Sequence, residues 1–141
     1  MWIQFVLLVI TAYFLGSIPT AYIITKIVKN EDIRNLGSGN VGATNVFRSV
    51  GKFYGVLTLV LDAFKGFLAV KICMYLFPEH VIYQIIIAVS AILGHGFSVF
   101  LKGKGGKSVA TTLGVFIAMA SSAIFFTFVI FVAIVGLFGY I

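Results

Sequence analysis

Long apolar stretches dominate this chain, and two polar, glycine-rich segments interrupt them. The apolar runs cover about Trp2–Val28, Phe53–Phe77, Val81–Phe100 and Val109–Ile141. Each run is long enough for an α-helix to cross a hydrocarbon core of about 30 Å. None shows the alternation of apolar and polar residues that is typical of a barrel strand. The pattern therefore predicts an all-α integral membrane protein with about four to five transmembrane helices.

Two of these runs are predicted to break. Gly16, Ser17 and Pro19 interrupt the second half of the first run, where a kink is expected. The last run contains no charged residue, and as one helix it would be roughly 50 Å long. Because that exceeds the hydrocarbon thickness, we expect this run to tilt or to break near Ser121 and Ser122.

Composition supports the membrane class and argues against others. The chain is 61% hydrophobic and 10% charged, whereas soluble domains carry about 25% charged residues. A length of 141 residues predicts a single domain over residues 1–141. The net charge of +6 is concentrated in short loops and forms no solvated basic face, so nucleic acid is not expected as a partner. The expected surroundings are a lipid bilayer, and the oligomeric state stays open.

The distribution of cations predicts an orientation in the membrane. Lysines and arginines cluster in the loop Lys29–Lys52 and again between Lys102 and Lys107, whereas the turn Pro78–His80 carries none. By the positive-inside rule, both basic loops face the cytoplasm. The two loops are therefore expected on the same side of the membrane, close enough to build one site.

The second basic loop, within FLKGKGGKSVATTLG (Phe100–Gly114), has the residue types of an anion site. Gly103, Gly105 and Gly106 permit a backbone that turns N–H groups toward one anion. A helix beginning near Ser108 would add its N-terminal N–H groups, and Lys107 would add a full charge. The alternative is a flexible cationic loop that binds no ligand.

The first loop contains LGSGNVGATNVFR, in which small polar side chains alternate with glycines ahead of Arg48. The guanidinium of an arginine suits a phosphate or a carboxylate. The small polar residues alternatively form a turn and an N-cap. Two donor-rich loops on one side of the membrane suggest two anionic ligands.

Three further polar residues lie within apolar runs. Asp62 and Lys65 share one helical face at a depth on the order of 15 Å. They predict an ion pair that supports the site, with direct substrate contact as the alternative. For His95 we expect packing or an interhelical hydrogen bond, because no second histidine, Asp or Glu is found nearby to make a metal site. Neither a metal nor another cofactor is predicted.

Three motifs resemble, in order and spacing, the bacterial acyl-phosphate:glycerol-3-phosphate acyltransferase (PlsY) family. They are GSGNVGATNVFR, DAFKG and GHGFSVFLKGKGGKSVATTLG, within Tyr13–Val115. The resemblance implies transfer of a fatty acyl group from acyl phosphate to the 1-hydroxyl of glycerol 3-phosphate, forming lysophosphatidic acid. It implies a multi-pass protein of the bacterial inner membrane with the glycine-rich loops in the cytoplasm.

The resemblance also assigns roles to individual residues. Ser38, Arg48 and Lys107 become the candidate catalytic residues. The second basic loop becomes the binding site for the phosphate of the acyl donor. The candidate substrate-binding residues are Gly37, Asn40, Thr44, Asn45, His95, Gly103, Gly105, Gly106 and Ser108. A phosphate oxygen of a substrate is expected to take the proton of the attacking hydroxyl.

The chain departs from the family pattern at three points. Ser108 replaces a glycine, and Ser98 replaces a proline. The family's third cytoplasmic motif, with His, Asn and Glu, has no counterpart before Ile141, so the family's C-terminal portion is expected to be missing. An inactive acyltransferase fragment and a small membrane anion carrier or subunit are therefore the alternative functions.

Overall fold

The computed structural model describes residues 1–138, and every regular element in that range is helical. The seven α-helices are α1 (Trp2–Ser17), α2 (Thr20–Lys29), α3 (Ala43–Ser49), α4 (Lys52–Leu76), α5 (Val81–Gly96), α6 (Val109–Met119) and α7 (Ser121–Phe138). Short 3-10 turns lie at Ile33–Asn35 and Val99–Leu101. The all-α prediction is confirmed for the described residues, and the last three residues of the predicted final run lie outside them.

Both predicted breaks in the apolar runs are confirmed. The first run is interrupted at Ile18 and Pro19, between α1 and α2. Proline favours such a break because it has no N–H to donate to the preceding turn. The last run is interrupted at Ala120, one residue before the predicted Ser121.

The predicted loop Lys29–Lys52 is more ordered than the sequence indicated, because it contains α3 and a 3-10 turn. α3 has only seven residues, too few for a helical period to stand out from the neighbouring glycines. Its Val46 is fully buried and belongs to an apolar cluster with Ala21 of α2 and Ile33 of the 3-10 turn. Tertiary packing therefore stabilises a helix that local sequence does not predict.

Glycines allow two pairs of helices to approach closely. In the α1–α5 pair, Gly16 faces the backbone carbonyl of Ala91 and Gly94 faces the carbonyl of Tyr13. In the α4–α6 pair, Gly66 and Gly114 similarly face backbone carbonyls of the opposite helix. Small residues are typical of helix interfaces in membranes, where close van der Waals packing drives association. These contacts hold α1 against α5 and α4 against α6.

The described helices differ in length and in mean hydropathy, the two properties that a membrane-spanning helix needs. Two segments, Trp2–Lys29 taken across its break and Val81–Leu101, combine sufficient length with high mean hydropathy, and Val109–Met119 and Ser121–Leu137 are shorter apolar helices. Many large apolar side chains on the outside are exposed, such as Phe125, with 62% of its surface accessible. These features are consistent with a membrane location, and the number of spans stays a prediction.

Candidate functional site

The two glycine-rich segments meet at a pocket of about 140 Å³. The first segment forms one wall, the start of α6 forms the opposite wall, and side chains of α4 and α5 complete the lining. The lining residues are Asn40, Gly42, Ala43, Thr44, Leu59, Asp62, His95, Lys107, Ser108, Val109 and Ala110. Segments that are about 65 residues apart in the chain are thus brought to one place, as the sequence predicted.

The start of α6 gives the pocket its positive potential. Ser108 is the N-cap residue, and Thr112 N–H makes the first helical hydrogen bond to the Ser108 carbonyl. The N–H groups of the first turn of α6, before Thr112, have no intrahelical acceptor. Two residues of this turn, Val109 and Ala110, line the pocket. The exposed Lys107 adds a full positive charge at the same wall. Helix N-termini and lysine side chains together attract phosphate or carboxylate.

The second basic loop, Lys102–Lys107, is called the glycine loop below. Its glycine N–H groups do not face the pocket as predicted. The N–H groups of Gly103, Gly105 and Gly106 donate to the carbonyls of Ser98, Gly96 and His95, at 2.8, 3.1 and 3.1 Å. The prediction that these three N–H groups point toward an anion is therefore wrong. Their role in the structure is to fold the loop back onto the C-terminal end of α5, and the free donors come from the start of α6.

At Gly105 and Gly106 there is no space for a side chain. A Cβ atom at Gly105 would collide with the carbonyl of His95, and one at Gly106 would collide with the carbonyl of Val41. Gly106 therefore lies directly between the first loop and α5. Any larger residue at these positions would push Lys107 away from its present place.

Asn45 organises the first loop from within. Its side chain is buried, and its amide nitrogen lies within hydrogen-bond distance of the carbonyls of Ile33, Leu36 and Asn40, at 3.2, 2.9 and 3.1 Å, so its two N–H groups are shared among three acceptors. Its Oδ1 accepts from the Ser38 N–H at 3.1 Å. The hydrogen-bonding groups of Asn45 are thus occupied by the loop itself, and direct substrate binding by this residue stays a prediction.

The other candidates in the first loop divide into two groups. Asn40 and Thr44 line the pocket. Gly37, with a φ of 52°, Ser38 and the α3 residue Arg48 are exposed and lie outside the pocket lining. Within residues 1–138, Arg48 has no salt-bridge partner. The catalytic roles of Ser38 and Arg48 stay predictions.

A buried polar cluster lies beneath the pocket. Lys65 Nζ is 2.8 Å from Asp62 Oδ1, which confirms the predicted ion pair. Lys65 Nζ also donates to the Ile18 carbonyl at 2.8 Å, and the Thr20 hydroxyl donates to Asp62 Oδ1. The pair thus joins α4 to the break between α1 and α2. Thr20 was not among the predicted site residues, because its partner Asp62 is 42 positions away on another helix and no local pattern marks the contact.

His95 is closer to an acidic residue than the sequence suggested. Its Nδ1 atom lies 3.6 Å from Asp62 Oδ1, so the expectation that no Asp is found near His95 is wrong. The two residues are 33 positions apart and on different helices, which is why sequence proximity could not reveal the contact. His95 and Asp62 both contribute to the pocket lining.

An exposed ion pair fixes the loop that leads into the first glycine segment. The Arg34 guanidinium donates to both Asp32 carboxylate oxygens, at 2.6 Å for the shortest contact. These hydrogen bonds hold the pKa of Asp32 below its usual value. Asp32 also accepts from the Arg34 N–H as the N-cap of the 3-10 turn. This pair orders the loop at a distance from the pocket.

Comparison with known proteins places these features in a family. Residues 6–141 match the family described as glycerol-3-phosphate acyltransferase. The glycerol-3-phosphate acyltransferase of Maridesulfovibrio salexigens is 48% identical over 130 residues, which are 92% of this chain and 66% of that protein. The protein of the same name from Prochlorococcus marinus (strain MIT 9312) is 45% identical over 115 residues, 82% of this chain and 58% of that protein.

A solved structure has the same fold over the described helices. It is the crystal structure of PlsY (YgiH), an integral membrane glycerol 3-phosphate acyltransferase, in its glycerol 3-phosphate form. The TM-score is 0.85 at 45% identity, over 94% of this chain and 66% of the solved chain. A lysophosphatidic acid form of the same enzyme matches with a TM-score of 0.83. The chain thus spans from somewhat over half to two thirds of the length of these relatives.

Proposed function

The chain belongs to the glycerol-3-phosphate acyltransferase family, and from this premise we propose that it transfers a fatty acyl group from acyl phosphate to the 1-hydroxyl of glycerol 3-phosphate. The product is lysophosphatidic acid. The solved relatives support the acceptor and the product, because their two forms contain glycerol 3-phosphate and lysophosphatidic acid. The proposed location is the bacterial inner membrane, with both glycine-rich segments in the cytoplasm, as the cation distribution favours.

One observation carries this proposal: Lys107 and the start of α6 face Asn40 and Thr44 across a single pocket. A cation with free helical N–H groups suits a phosphate, and the amide and hydroxyl opposite suit a polar acceptor molecule. The reaction brings together one anionic donor and one anionic acceptor. Two polar walls that meet at one pocket match this requirement.

An apolar cavity next to the pocket offers apolar surface for part of the acyl chain of the donor. This cavity has a volume of about 240 Å³ and shares Ala43, Thr44 and Leu59 with the anion pocket. Phe47 and Val56 extend it with apolar surface. We place the acyl chain of the donor here, so that its phosphate enters the pocket beside Lys107 and its acyl carbon lies at the junction of the two cavities.

The chemistry needs little more than orientation and charge stabilisation. In an acyl phosphate the carbonyl carbon is already activated, so the acceptor hydroxyl oxygen can attack it directly. The new ester C–O bond forms, the C–O bond to phosphate breaks, and a phosphate oxygen takes the hydroxyl proton. Lys107 and the N–H groups of α6 stabilise the departing phosphate charge. Arg48 and Ser38 are proposed to hold glycerol 3-phosphate at the exposed surface of the first loop.

An acyl-transfer assay tests the proposal. Membranes that contain the chain are incubated with acyl phosphate and labelled glycerol 3-phosphate, and labelled lysophosphatidic acid is measured. We expect product that depends on both substrates and on the chain, compared with membranes lacking it. Binding of both substrates without product would identify an inactive relative, and uptake of the labelled anion into sealed vesicles without product would identify a carrier. Either result would overturn the proposed activity.

A further inference from the structure

The imidazole of His95 is held between a carboxylate and the glycine loop. Its Nδ1 atom lies 3.6 Å from Asp62 Oδ1, and its Nε2 edge packs so closely on Gly106 that a Cβ atom there would collide with it. The backbone carbonyl of His95 also accepts the Gly106 N–H at 3.1 Å. His95 is 8% exposed. It therefore contacts Gly106 through both its side chain and its main chain.

Asp62 is itself fixed from two other directions. Lys65 Nζ lies 2.8 Å from Asp62 Oδ1, and the Thr20 hydroxyl donates to the same oxygen. Lys65 in turn reaches the Ile18 carbonyl. The fixed carboxylate therefore faces the Nδ1 side of the His95 imidazole, and this favours the ring orientation in which Nε2 faces Gly106.

The residues that follow Gly106 are those that face the anion. Lys107 is the next residue, and α6 begins at Val109. The position of Gly106 therefore sets the position of Lys107 and of the first N–H groups of α6. A displacement of about 1 Å at such a site is enough to reduce catalysis substantially.

We propose that Asp62 and His95 are positioning residues for the anion pocket: Asp62 orients the imidazole of His95, and His95 holds Gly106 so that Lys107 and the start of α6 meet the phosphate. This inference rests on the proposed function, because it concerns how the same pocket binds its anion. It adds two residues that act through the glycine loop and leaves the transfer chemistry as described above.

The orientation of the imidazole can be measured without any ligand. The chain has two histidines, so ¹⁵N-histidine NMR of the full chain in lipid shows two imidazoles, and His80→Ala assigns them. We expect His95 to carry a proton on Nδ1, the ring nitrogen that faces Asp62. The Asp62→Asn, Lys65→Met double variant removes the ion pair without leaving an unpaired buried charge, and in it the Nε2-protonated form should appear. A proton on Nε2 with none on Nδ1 in the unmodified chain, or no change in the double variant, would overturn the orienting role of Asp62.

Anion binding tests the effect on the pocket. The probe is inorganic phosphate, and its dissociation constant is measured by ³¹P NMR with the full chain in lipid. We expect His95→Ala to raise this constant about tenfold or more, with the unfolding temperature as the check on folding. His80→Ala, at the opposite end of α5, is the matched control and should leave phosphate binding unchanged. Equal affinity of His95→Ala and the unmodified chain would overturn the proposal.

A double-mutant cycle separates positioning from independent contact. If Asp62 acts through His95, the effects of the Asp62→Asn, Lys65→Met variant and of His95→Ala on phosphate affinity will be far from additive. If His95 contacts phosphate without help from Asp62, the Asp62 variant will bind phosphate normally, and the proposal fails. Absence of both acyl transfer and phosphate binding in the unmodified chain would instead overturn the proposed function, and the inference with it.

Discussion

The backbone carbonyl of Ala91 in α5 occupies the space that a side chain at Gly16 in α1 would need. Gly94 of α5 has the same relationship to the carbonyl of Tyr13 in α1. The two helices therefore contact through their backbones at both positions. Gly16 lies two residues before the break at Ile18, and Gly94 directly precedes the pocket residue His95. The close approach of α1 and α5 thus positions the helix ends on which the site is built.

Replacing Gly16 with alanine should therefore destabilise the protein. The added methyl group collides with a backbone atom, and α1 and α5 must separate to accommodate it. We expect a loss of about 2–3 kcal/mol or more in the free energy of unfolding, measured by thermal unfolding in detergent. Gly136→Ala is the matched control, because nothing lies within 4 Å of a Cβ atom there. Equal stability of the two variants would contradict the close approach.

Lys107 should be the lysine of its loop that acyl transfer requires. Lys107→Met removes the charge at the pocket wall while keeping the length of the side chain. We expect acyl transfer to fall on the order of 100-fold, as for loss of one group that stabilises a developing charge. Lys102→Met, an exposed lysine outside the pocket lining, should retain activity within about twofold. Similar losses in both variants would show that only the net charge of the loop matters.

Ser108 carries a backbone strain that its side chain partly offsets. Its φ is 59°, a left-handed conformation that favours glycine, and its hydroxyl donates to the Ile92 carbonyl at 3.0 Å. Ser108→Ala keeps the strain and loses the hydrogen bond, so it should lower stability by about 1–2 kcal/mol. Ser108→Gly loses the same bond but relieves the strain, and should be more stable than Ser108→Ala by about 1 kcal/mol. Thermal unfolding of the two variants measures which is more stable. A higher stability of Ser108→Ala than of Ser108→Gly would contradict the prediction.

Asn45 should be needed for the order of the first loop. Asn45→Asp keeps the shape of the side chain but replaces a donor to three carbonyls with a second acceptor. We expect a loss of at least about 2 kcal/mol in the free energy of unfolding, because a buried charge and unsatisfied carbonyls result. Asn35→Asp, an exposed position in the same segment, should have little effect. Faster proteolysis between residues 33 and 45 in Asn45→Asp alone would locate the change.

The Asp32–Arg34 pair should make the stability of the loop depend on acid pH. The pKa of Asp32 is lowered by its hydrogen bonds to Arg34, so the folded state binds a proton less readily than the unfolded chain. The stabilisation is thus complete well above the unfolded pKa of about 3.9 and is lost as pH falls through the lower folded value. Asp32→Asn should remove this small, salt-sensitive contribution.

Loop protection measured by hydrogen exchange checks this prediction. The unmodified chain should exceed Asp32→Asn in protection at pH 6, and the difference should shrink below about pH 4. Glu31→Gln, at the adjacent exposed carboxylate, is the matched control. A difference that grows on acidification would contradict the sign of the shift.

Four features could be predicted without the structure: the helical class, the breaks in the first and last apolar runs, the Asp62–Lys65 pair and the meeting of two glycine-rich segments. The first three follow from the length of the apolar runs, the position of a proline and a spacing of three residues on one helix. The last follows from the distribution of cations along the chain. The family resemblance was likewise visible in three short motifs, and the comparisons confirmed it.

Which backbone donors are free for a ligand, and which are already bonded within the protein, became known from the packing of the folded chain. The N–H groups of Gly105 and Gly106 fit an anion cradle by residue type, yet they bond to α5 because the loop folds back upon it. His95 and Asp62 lie close together although they are 33 positions apart in the chain and on different helices. A hydrogen-bonding group can serve a ligand only if no protein group has already taken it. That condition depends on packing between distant segments, so local sequence cannot settle it.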